Sequence, residues 1–337
     1  MVRRLNLCFE ILMFIRLSMS ESSSLQALVV TQKHWVALDI MCFGLQDPEG
    51  QDLPPFSAGA HIPVQVPGGS MRAYSLCGNP RDLSIYQIAV KREANGRGGS
   101  KRLVDEVQVG QHLNVALPQN MFELSPKASQ FVFIAGGIGI TPIRSMMTEL
   151  LSEGVRKFKL IYLTRDAEST AFLNEFQAPE YQGKVHIHHD QGDAKRSMDL
   201  WPVFEKFTGA HLYCCGPQPL MDAVRDMSGH WPTSAVHFES FGADCHPQAD
   251  DGAFQVVLQR SGLTLEVPAD QSILETLRRH HISIPSSCES GTCGSCKVGL
   301  LEGVADHRDM VLRDDEKSNQ LMVCVSRAQS DVLVLDC

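Results

Sequence analysis

One short stretch near the C-terminal end decides the fold: CESGTCGSC, residues 288–296. Its cysteines, Cys288, Cys293 and Cys296, have the spacing C-x4-C-x2-C, and Cys324 follows further along the chain. Plant-type 2Fe-2S sites use this spacing, with three thiolates on one loop and the fourth on a distant strand. Structural zinc sites favour paired C-x2-C knuckles, and only one such pair is present. The stretch therefore predicts a 2Fe-2S cluster held by these four cysteines.

The sequence around the cysteines predicts an α+β domain. Two apolar runs, residues 254–258 and 263–267, flank Ser261-Gly262 and indicate a hairpin. Residues 272–281 show the apolar spacing of a helix, and residues 332–335 form a last strand. Gly291 and Gly294 allow the cysteine loop to wrap tightly. We therefore expect a β-grasp ferredoxin domain over residues 253–337.

A different pattern covers residues 127–240. An apolar strand at residues 131–135 runs into GGIGITP, residues 136–142, and then into a helix. Strands that alternate with helices predict a parallel α/β sheet. Glycines let the backbone approach a pyrophosphate, and a helix N-terminus attracts its charge. The loop also fits a plain helix start, with Thr141 as the N-cap and Pro142 as the first helical residue.

A later strand of the same sheet ends in CCGP, residues 214–217. Ligands of open parallel sheets bind at the carboxyl ends of the strands. The thiol of Cys215 is therefore expected to contact a nicotinamide. The competing interpretation is a buried cysteine at a tight turn.

Short apolar runs separated by glycine and proline predict an antiparallel β-barrel over residues 25–126. One extended segment, RAYS at residues 72–75, brings together a cation, an aromatic ring and a hydroxyl. Such groups can pair a phosphate, stack on a ring and hydrogen-bond a flavin. Residues 89–91 (AVK) and 96–100 (GRGGS) add a second basic, glycine-rich anion site. An ordinary strand and a polar loop are the alternatives.

The composition fits a multidomain globular protein and argues against two classes. The chain has 337 residues, which is too many for one ordinary core. A net charge of −9 argues against nucleic-acid binding, which requires an excess of positive charge. No apolar run reaches the roughly 18 residues that predict a membrane span. Cysteines clustered rather than spread as a disulfide framework indicate a cytoplasmic redox protein, which we expect to be monomeric.

Two segments do not fit the three domains. Residues 1–18 are semi-apolar, but Glu10 and Arg16 interrupt the apolar stretch and no signal-peptide cleavage site follows. We expect residues 1–24 to be a non-native or disordered extension, with folding effectively starting at Met19. Residues 241–252, with glycine, proline and several aspartates, predict a linker.

Along the chain the motifs occur in the order RAYS, GRGGS, GGIGITP, CGP and the cysteine cluster. In that order they resemble the motifs of the ferredoxin–NADP reductase superfamily fused to a ferredoxin. The likeness covers nearly all of residues 25–337 and includes long runs at residues 237–243 and 285–297. It implies an FMN-binding barrel, an NAD domain and a C-terminal ferredoxin domain. Phe241 matches the family aromatic beside the flavin ring, which a nicotinamide must displace. Two departures stand out: Ala73 replaces a threonine, and the N-terminal extension has no counterpart.

The motifs and the resemblance together give the expected site residues. The FMN contacts are expected to be Arg72, Ala73, Tyr74, Ser75, Ala89, Val90, Lys91, Arg97, Gly98, Gly99, Ser100, Thr141 and Phe241. The NAD contacts are expected to be Gly136, Gly137, Gly139, Arg165, Cys215, Gly216 and Pro217. The residues expected to act at the reacting atoms are Ser75, Cys215 and Phe241.

Electron counting predicts the chemistry. NADH delivers two electrons as a hydride and a 2Fe-2S cluster accepts one, so a flavin must stand between them. Asp166 and Glu168 follow the second strand of the sheet and disfavour the 2′-phosphate of NADPH, although Arg165 could pair with it. The resemblance implies a Rieske-type oxygenase as partner, with phthalate as the partner's substrate. The alternatives are a reductase for a related oxygenase or O-demethylase, an FAD-containing reductase, and a redox carrier without turnover.

Overall fold

The computed structural model describes residues 25–69, 71–94, 98–154, 156–241, 251–286, 291, 294–309, 311–313 and 315–337. The predictions for residues 1–24, Arg97, Cys288, Cys293 and most of the linker therefore lie outside the described residues. None of the described helices is long and apolar enough to cross a membrane.

The first sheet is antiparallel and contains the RAYS segment. Its six strands lie in the order β4-β3-β6-β1-β2-β5. They are β1 Gln26–Ala37, β2 Ile40–Gln46, β3 His61–Gln65, β4 Met71–Ser75, β5 Tyr86–Lys91 and β6 His112–Val115, and helix α1 is Gly99–Glu106. Phe43, Ile62 and Ile88 are fully buried in its interior. The predicted antiparallel, barrel-like architecture is confirmed.

The second sheet is parallel, with the order β11-β10-β7-β8-β9. Its strands are β7 Gln130–Gly136, β8 Lys157–Thr164, β9 Val185–His189, β10 His211–Cys215 and β11 Val236–Glu239. Its helices are α2 Ile140–Glu153, α3 Trp201–Phe204 and α4 Gln218–Met227. The chain order reverses between β7 and β10, and open α/β sheets bind ligands at such a switch point.

The C-terminal domain has a five-stranded sheet in the order β13-β12-β18-β14-β16 and a small β15-β17 pair. The strands are β12 Phe254–Leu258, β13 Leu263–Val267, β14 Lys297–Glu302, β15 Ala305–Asp306, β16 Gln320–Met322, β17 Arg327–Ala328 and β18 Val332–Leu335. Helix α5, Ile273–Arg279, begins with a capping box between Ser272 and Glu275. The predicted hairpin, helix and last strand are all present.

The barrel and the α/β domain share one core, whereas the C-terminal domain has a core of its own. Ile40 and Cys77 of the barrel belong to the same buried cluster as Phe133 and Met146 of the α/β domain. The buried residues of the C-terminal cluster all come from residues 254–335. The first two domains are therefore packed as one unit.

The prediction that Thr141 caps a helix is wrong. Helix α2 begins at Ile140, and its N-cap is Gly139. A 3-10 turn over Gly137–Gly139 leads directly into the helix, so no extended residue remains to cap it with a side chain. The buried hydroxyl of Thr141 instead donates to the carbonyl oxygen of Ile138, at 3.0 Å.

Candidate redox site

Ser75 presents a buried hydroxyl at the end of β4. The residue is 5% exposed, and its Oγ has no hydrogen-bond partner among the described residues. A buried polar atom without a partner costs about 1–3 kcal/mol, so such an atom commonly marks where a ligand bonds. Burial raises the pKa of the neighbouring Tyr74 to about 12, which keeps its ring neutral. This pair fits the hydroxyl and the stacking ring that a flavin requires.

Arg72 lies against the N-terminal end of α1. Its Cγ and Nε are 3.4 Å from the position that a Cβ on Gly99 would occupy. The N-cap of α1 is Gly98, with a φ of 84°, and among the described residues neither a capping side chain nor an acidic residue in the first turn bonds its N–H groups. Unsatisfied N–H groups beside a guanidinium form a site for phosphate. The structure thus brings together the two basic motifs of the barrel.

The other described barrel residues expected to contact FMN lie on β5 and at the start of α1. Ala89 and Val90 are buried on β5. Lys91 is paired with Glu93 at 2.6 Å, and Ser100 Oγ accepts a hydrogen bond from the Glu93 N–H at 3.2 Å. Phosphate binding by Lys91 would therefore compete with this existing ion pair.

Two glycine loops pack against each other at the carboxyl ends of β7 and β10. A Cβ on Gly139 would collide with the backbone carbonyl of Cys215, and one on Gly216 would lie 3.0 Å from the Gly136 Cα. These three glycines are required for loop packing. Gly137 differs, because its φ is +52° and its Cβ position has open space around it. It leaves room for a pyrophosphate at the start of α2.

Cys215 and Glu239 end the neighbouring strands β10 and β11 and lie opposite each other. Cys215 is fully buried and Glu239 is 9% exposed. Burial, followed by the charge of Glu239, raises the pKa of the Cys215 thiol well above its usual value, so the thiol stays neutral. Phe241 is 41% exposed just beyond this strand. Glu239 was not among the site residues predicted from the sequence. Its position two residues before Phe241, as the one carboxylate in this segment, could have pointed to it.

The carboxyl end of β8 carries the residues expected beside the adenosine ribose. Asp166 accepts a hydrogen bond from the Ser169 N–H at 2.8 Å, and this bond lowers the pKa of Asp166. The Arg165 side chain lies over Gly192, 3.5 Å from the position of a Cβ there. A fixed carboxylate at this edge repels a 2′-phosphate, which favours NADH.

Cys296 and Cys324 lie at the same end of the β14–β16 pair. Lys297 pairs with Met322, and the Val323 N–H donates to the Cys296 carbonyl at 3.3 Å. Both cysteines are buried, at 3% and 6% exposure. Gly291 has a φ of +73°, and a Cβ there would lie 2.8 Å from the Val325 side chain. Two buried thiols together with the positive φ of Gly291 and Gly294 fit a 2Fe-2S cluster.

The fold and the site define an oxidoreductase in which flavin, NAD and 2Fe-2S domains follow one another along a single chain. Three family models match in that order. Residues 27–124 match an oxidoreductase FAD-binding domain, residues 133–226 an oxidoreductase NAD-binding domain, and residues 256–329 a 2Fe-2S iron-sulfur cluster binding domain.

Relatives narrow this class. The chain is 56% identical to phthalate dioxygenase reductase from Burkholderia cepacia over 92% of this chain and 96% of that protein. It is 38% identical to the carnitine monooxygenase reductase subunit of Escherichia coli (strain K12), over 91% of this chain and 97% of that one. A solved structure of phthalate dioxygenase reductase matches with a TM-score of 0.81 and 54% identity, covering 93% of this chain and 98% of its own. The chain belongs to the phthalate dioxygenase reductase family, and it is an NADH-dependent oxidoreductase.

Proposed function

We propose that this chain is the NADH-oxidising component of a Rieske-type dioxygenase that acts on phthalate. The observation that carries the proposal is the likeness to phthalate dioxygenase reductase over nearly the full length of both chains. The flavin, when bound, accepts the hydride of NADH and supplies electrons singly to the 2Fe-2S cluster. Residues 25–126, 127–240 and 253–337 are assigned to the flavin, NAD and ferredoxin domains, with residues 241–252 as the linker.

The chain's own residues then bind and orient the reactants. Arg72 and the N-terminal end of α1 hold the flavin phosphate, and the Ser75 hydroxyl donates a hydrogen bond to the flavin ring. The turn at Gly137 holds the pyrophosphate of NADH at the N-terminal end of α2. Cys215 at the end of β10 and Phe241 beyond β11 bound the space for the nicotinamide.

The flavin is proposed to be FMN. The phosphate site that Arg72 and α1 form in the described part of the barrel supports this assignment, as does the resemblance of the barrel motifs to FMN-binding relatives. Heat release of the flavin followed by chromatography against FMN and FAD standards tests the assignment. Recovery of FAD would contradict it.

The protein is proposed to act as a cytoplasmic monomer. Cys42, Cys77 and Cys214 are buried thiols without disulfides, which fits a reducing compartment. Analytical ultracentrifugation of the purified protein should give one species of the monomer mass, 37.2 kDa. A dimer that persists on dilution would count against this part of the proposal.

The decisive experiment combines the purified protein with a phthalate dioxygenase, NADH and phthalate. We expect hydroxylated phthalate in a fixed ratio to the NADH consumed. A parallel reaction with the oxygenase of a vanillate O-demethylase and vanillate serves as the comparison, since a reductase of that system is 37% identical to this chain. Faster turnover in the second reaction would reassign the partner.

A further inference from the structure

Arg144 on helix α2 joins the barrel to the α/β domain. Its Nη1 donates hydrogen bonds to the Cys77 carbonyl and, at 3.3 Å, to Gln87 Oε1, both of which belong to the barrel. Its Nε and Nη2 lie 2.9–3.0 Å from the carboxylate of Glu175, in the α/β domain. One guanidinium therefore bonds both domains at once.

The contacts of Arg144 lie close to the elements that position the two reactants. Cys77 comes two residues after Ser75, and its N–H donates to the Gln87 carbonyl at 2.8 Å, which fixes this segment on β5. Arg144 itself lies in the second turn of the helix that starts at the Gly137 loop. The guanidinium thus connects the helix at the proposed pyrophosphate site to the segment that follows Ser75 and to β5.

The surroundings of Arg144 hold it in one geometry. Its side chain is 17% exposed, and its guanidinium carbon lies 4.5 Å from the centre of the Phe172 ring. Phe172 has a φ of +60°, a conformation that a bulky side chain adopts only where its surroundings impose it. The Tyr181 hydroxyl donates to Glu175 at 3.3 Å. Arginine suits this place because its rigid fork can satisfy several acceptors in one plane, whereas the point charge of lysine cannot.

An ion pair between the same helix and the barrel provides a contrast. Arg81 lies 3.1 Å from Glu149, but the Arg81 side chain is 54% exposed. Exposed ion pairs contribute little to stability, because water competes for both charges. Arg81 and Arg144 both bond across the two domains, Arg81 through this exposed ion pair and Arg144 through largely buried hydrogen bonds to Cys77 and Gln87.

We propose that Arg144 is a positioning residue for hydride transfer, which sets the nicotinamide–flavin distance by fixing α2 against the segment that follows β4. The physical reason is the steep dependence of transfer on geometry, since a displacement of roughly 1 Å can slow a reaction by about a hundredfold. The shared core holds the two domains together, and Arg144 fixes the position of α2 relative to the barrel close to the site.

Three variants test the proposal: R144Q, R144K and the control R81Q. At saturating NADH, R144Q should reduce its flavin roughly ten- to a hundredfold more slowly than the wild type, while flavin content and the Kd for NADH stay within about threefold. R144K keeps the positive charge but loses the planar guanidinium, so its rate of flavin reduction should lie between those of R144Q and the wild type. R81Q should match the wild type in every measurement.

Hydrogen exchange on the flavin-free protein gives a readout that does not depend on turnover. Backbone amides of residues 76–88 should exchange faster in R144Q than in R81Q, because the Cys77–Gln87 segment loses its anchor. A wild-type reduction rate in R144Q, or an equal loss of rate in R81Q, would overturn the proposal. If R144Q does not fold, R144K and Q87L decide the question, since each removes only part of the network.

Discussion

Arg72 is the residue on which flavin retention should depend most. Its guanidinium lies beside the first turn of α1, which has no capping side chain among the described residues and where a phosphate would accept several charge-assisted bonds. Removing one such bond costs about 1.5–3 kcal/mol. We expect Arg72→Ala to bind FMN roughly ten- to a hundredfold more weakly, with little change in the Kd for NADH.

Flavin content after exhaustive dialysis is the measurement for Arg72→Ala. Lys101→Ala is the matched control, because Lys101 is exposed on the same helix and its removal changes the net charge equally. Equal flavin loss in the two variants would show that general charge, rather than a specific phosphate contact, is responsible.

His237 should make stability depend on pH. Its ring stacks on Tyr213 at 4.3 Å, and burial together with the charge of His211 lowers the pKa of His237 to about 4. In the unfolded chain a histidine takes up a proton near pH 6.5. The stabilisation is therefore complete above about pH 6.5 and is lost as the pH falls towards 4.

Between pH 7 and pH 5, this histidine should remove roughly 1–2 kcal/mol of the free energy of unfolding, allowing for its partial exposure. His237→Phe keeps a ring over Tyr213 but cannot titrate. Urea unfolding of both proteins at several pH values is the check. If the wild type and the variant lose stability in parallel below pH 6.5, the effect belongs to other groups.

At the scale of elements, the two glycine loops should respond differently to the same added methyl group. In Gly139→Ala the Cβ meets the Cys215 carbonyl, so the loops must separate, at a cost of about 3 kcal/mol or more. In Gly137→Ala the Cβ meets open space, and only the positive φ opposes it, by about 1–2 kcal/mol.

Thermal unfolding and NADH binding together separate the two variants. Gly139→Ala should mainly lower the unfolding temperature. Gly137→Ala should remain folded but bind NADH more weakly, because its methyl group occupies the space left for the pyrophosphate. If Gly139→Ala weakened NADH binding more than Gly137→Ala did, the nucleotide would have to lie on the other side of the loop.

Strands and turns were predictable from the sequence where neighbouring residues determine them. The apolar strand before Gly136 and the hairpin around Gly262 follow from periodicity and turn residues alone. Glu239 and Arg144 were missed, because their significance depends on partners that lie far along the chain. Arg144, for example, bonds Cys77 across 67 residues. The helix start at Ile140 differed from prediction because a 3-10 turn replaced the expected cap.

At the scale of the whole molecule, the separate core of the C-terminal domain should allow two activities to be separated. Cys324 is a buried ligand candidate two residues beyond β16, and its replacement by serine should destabilise or remove the cluster. The barrel and the α/β domain do not depend on that core, so they should remain folded and keep their flavin.

Cys324→Ser should therefore oxidise NADH with a small inorganic acceptor at a near wild-type rate and lose electron delivery to the oxygenase. Both activities should be measured on one preparation, together with its iron and flavin content. Cys337→Ser, a cysteine outside the predicted ligand set, is the control and should retain both activities. Simultaneous loss of flavin and of all NADH oxidation in Cys324→Ser would show that the cluster supports the whole fold.

The two cores also bear on how such a chain can change over evolutionary time. The described C-terminal core draws its buried side chains only from residues 254–335, so a substitution or exchange in this region leaves the packing around Ser75 and Arg144 undisturbed. The ferredoxin domain can thus change to suit new electron acceptors while the flavin and NAD domains are inherited unchanged. The segment between Phe241 and Phe254 is the natural crossover point for that exchange, and a designer who recombines reductases would join them there.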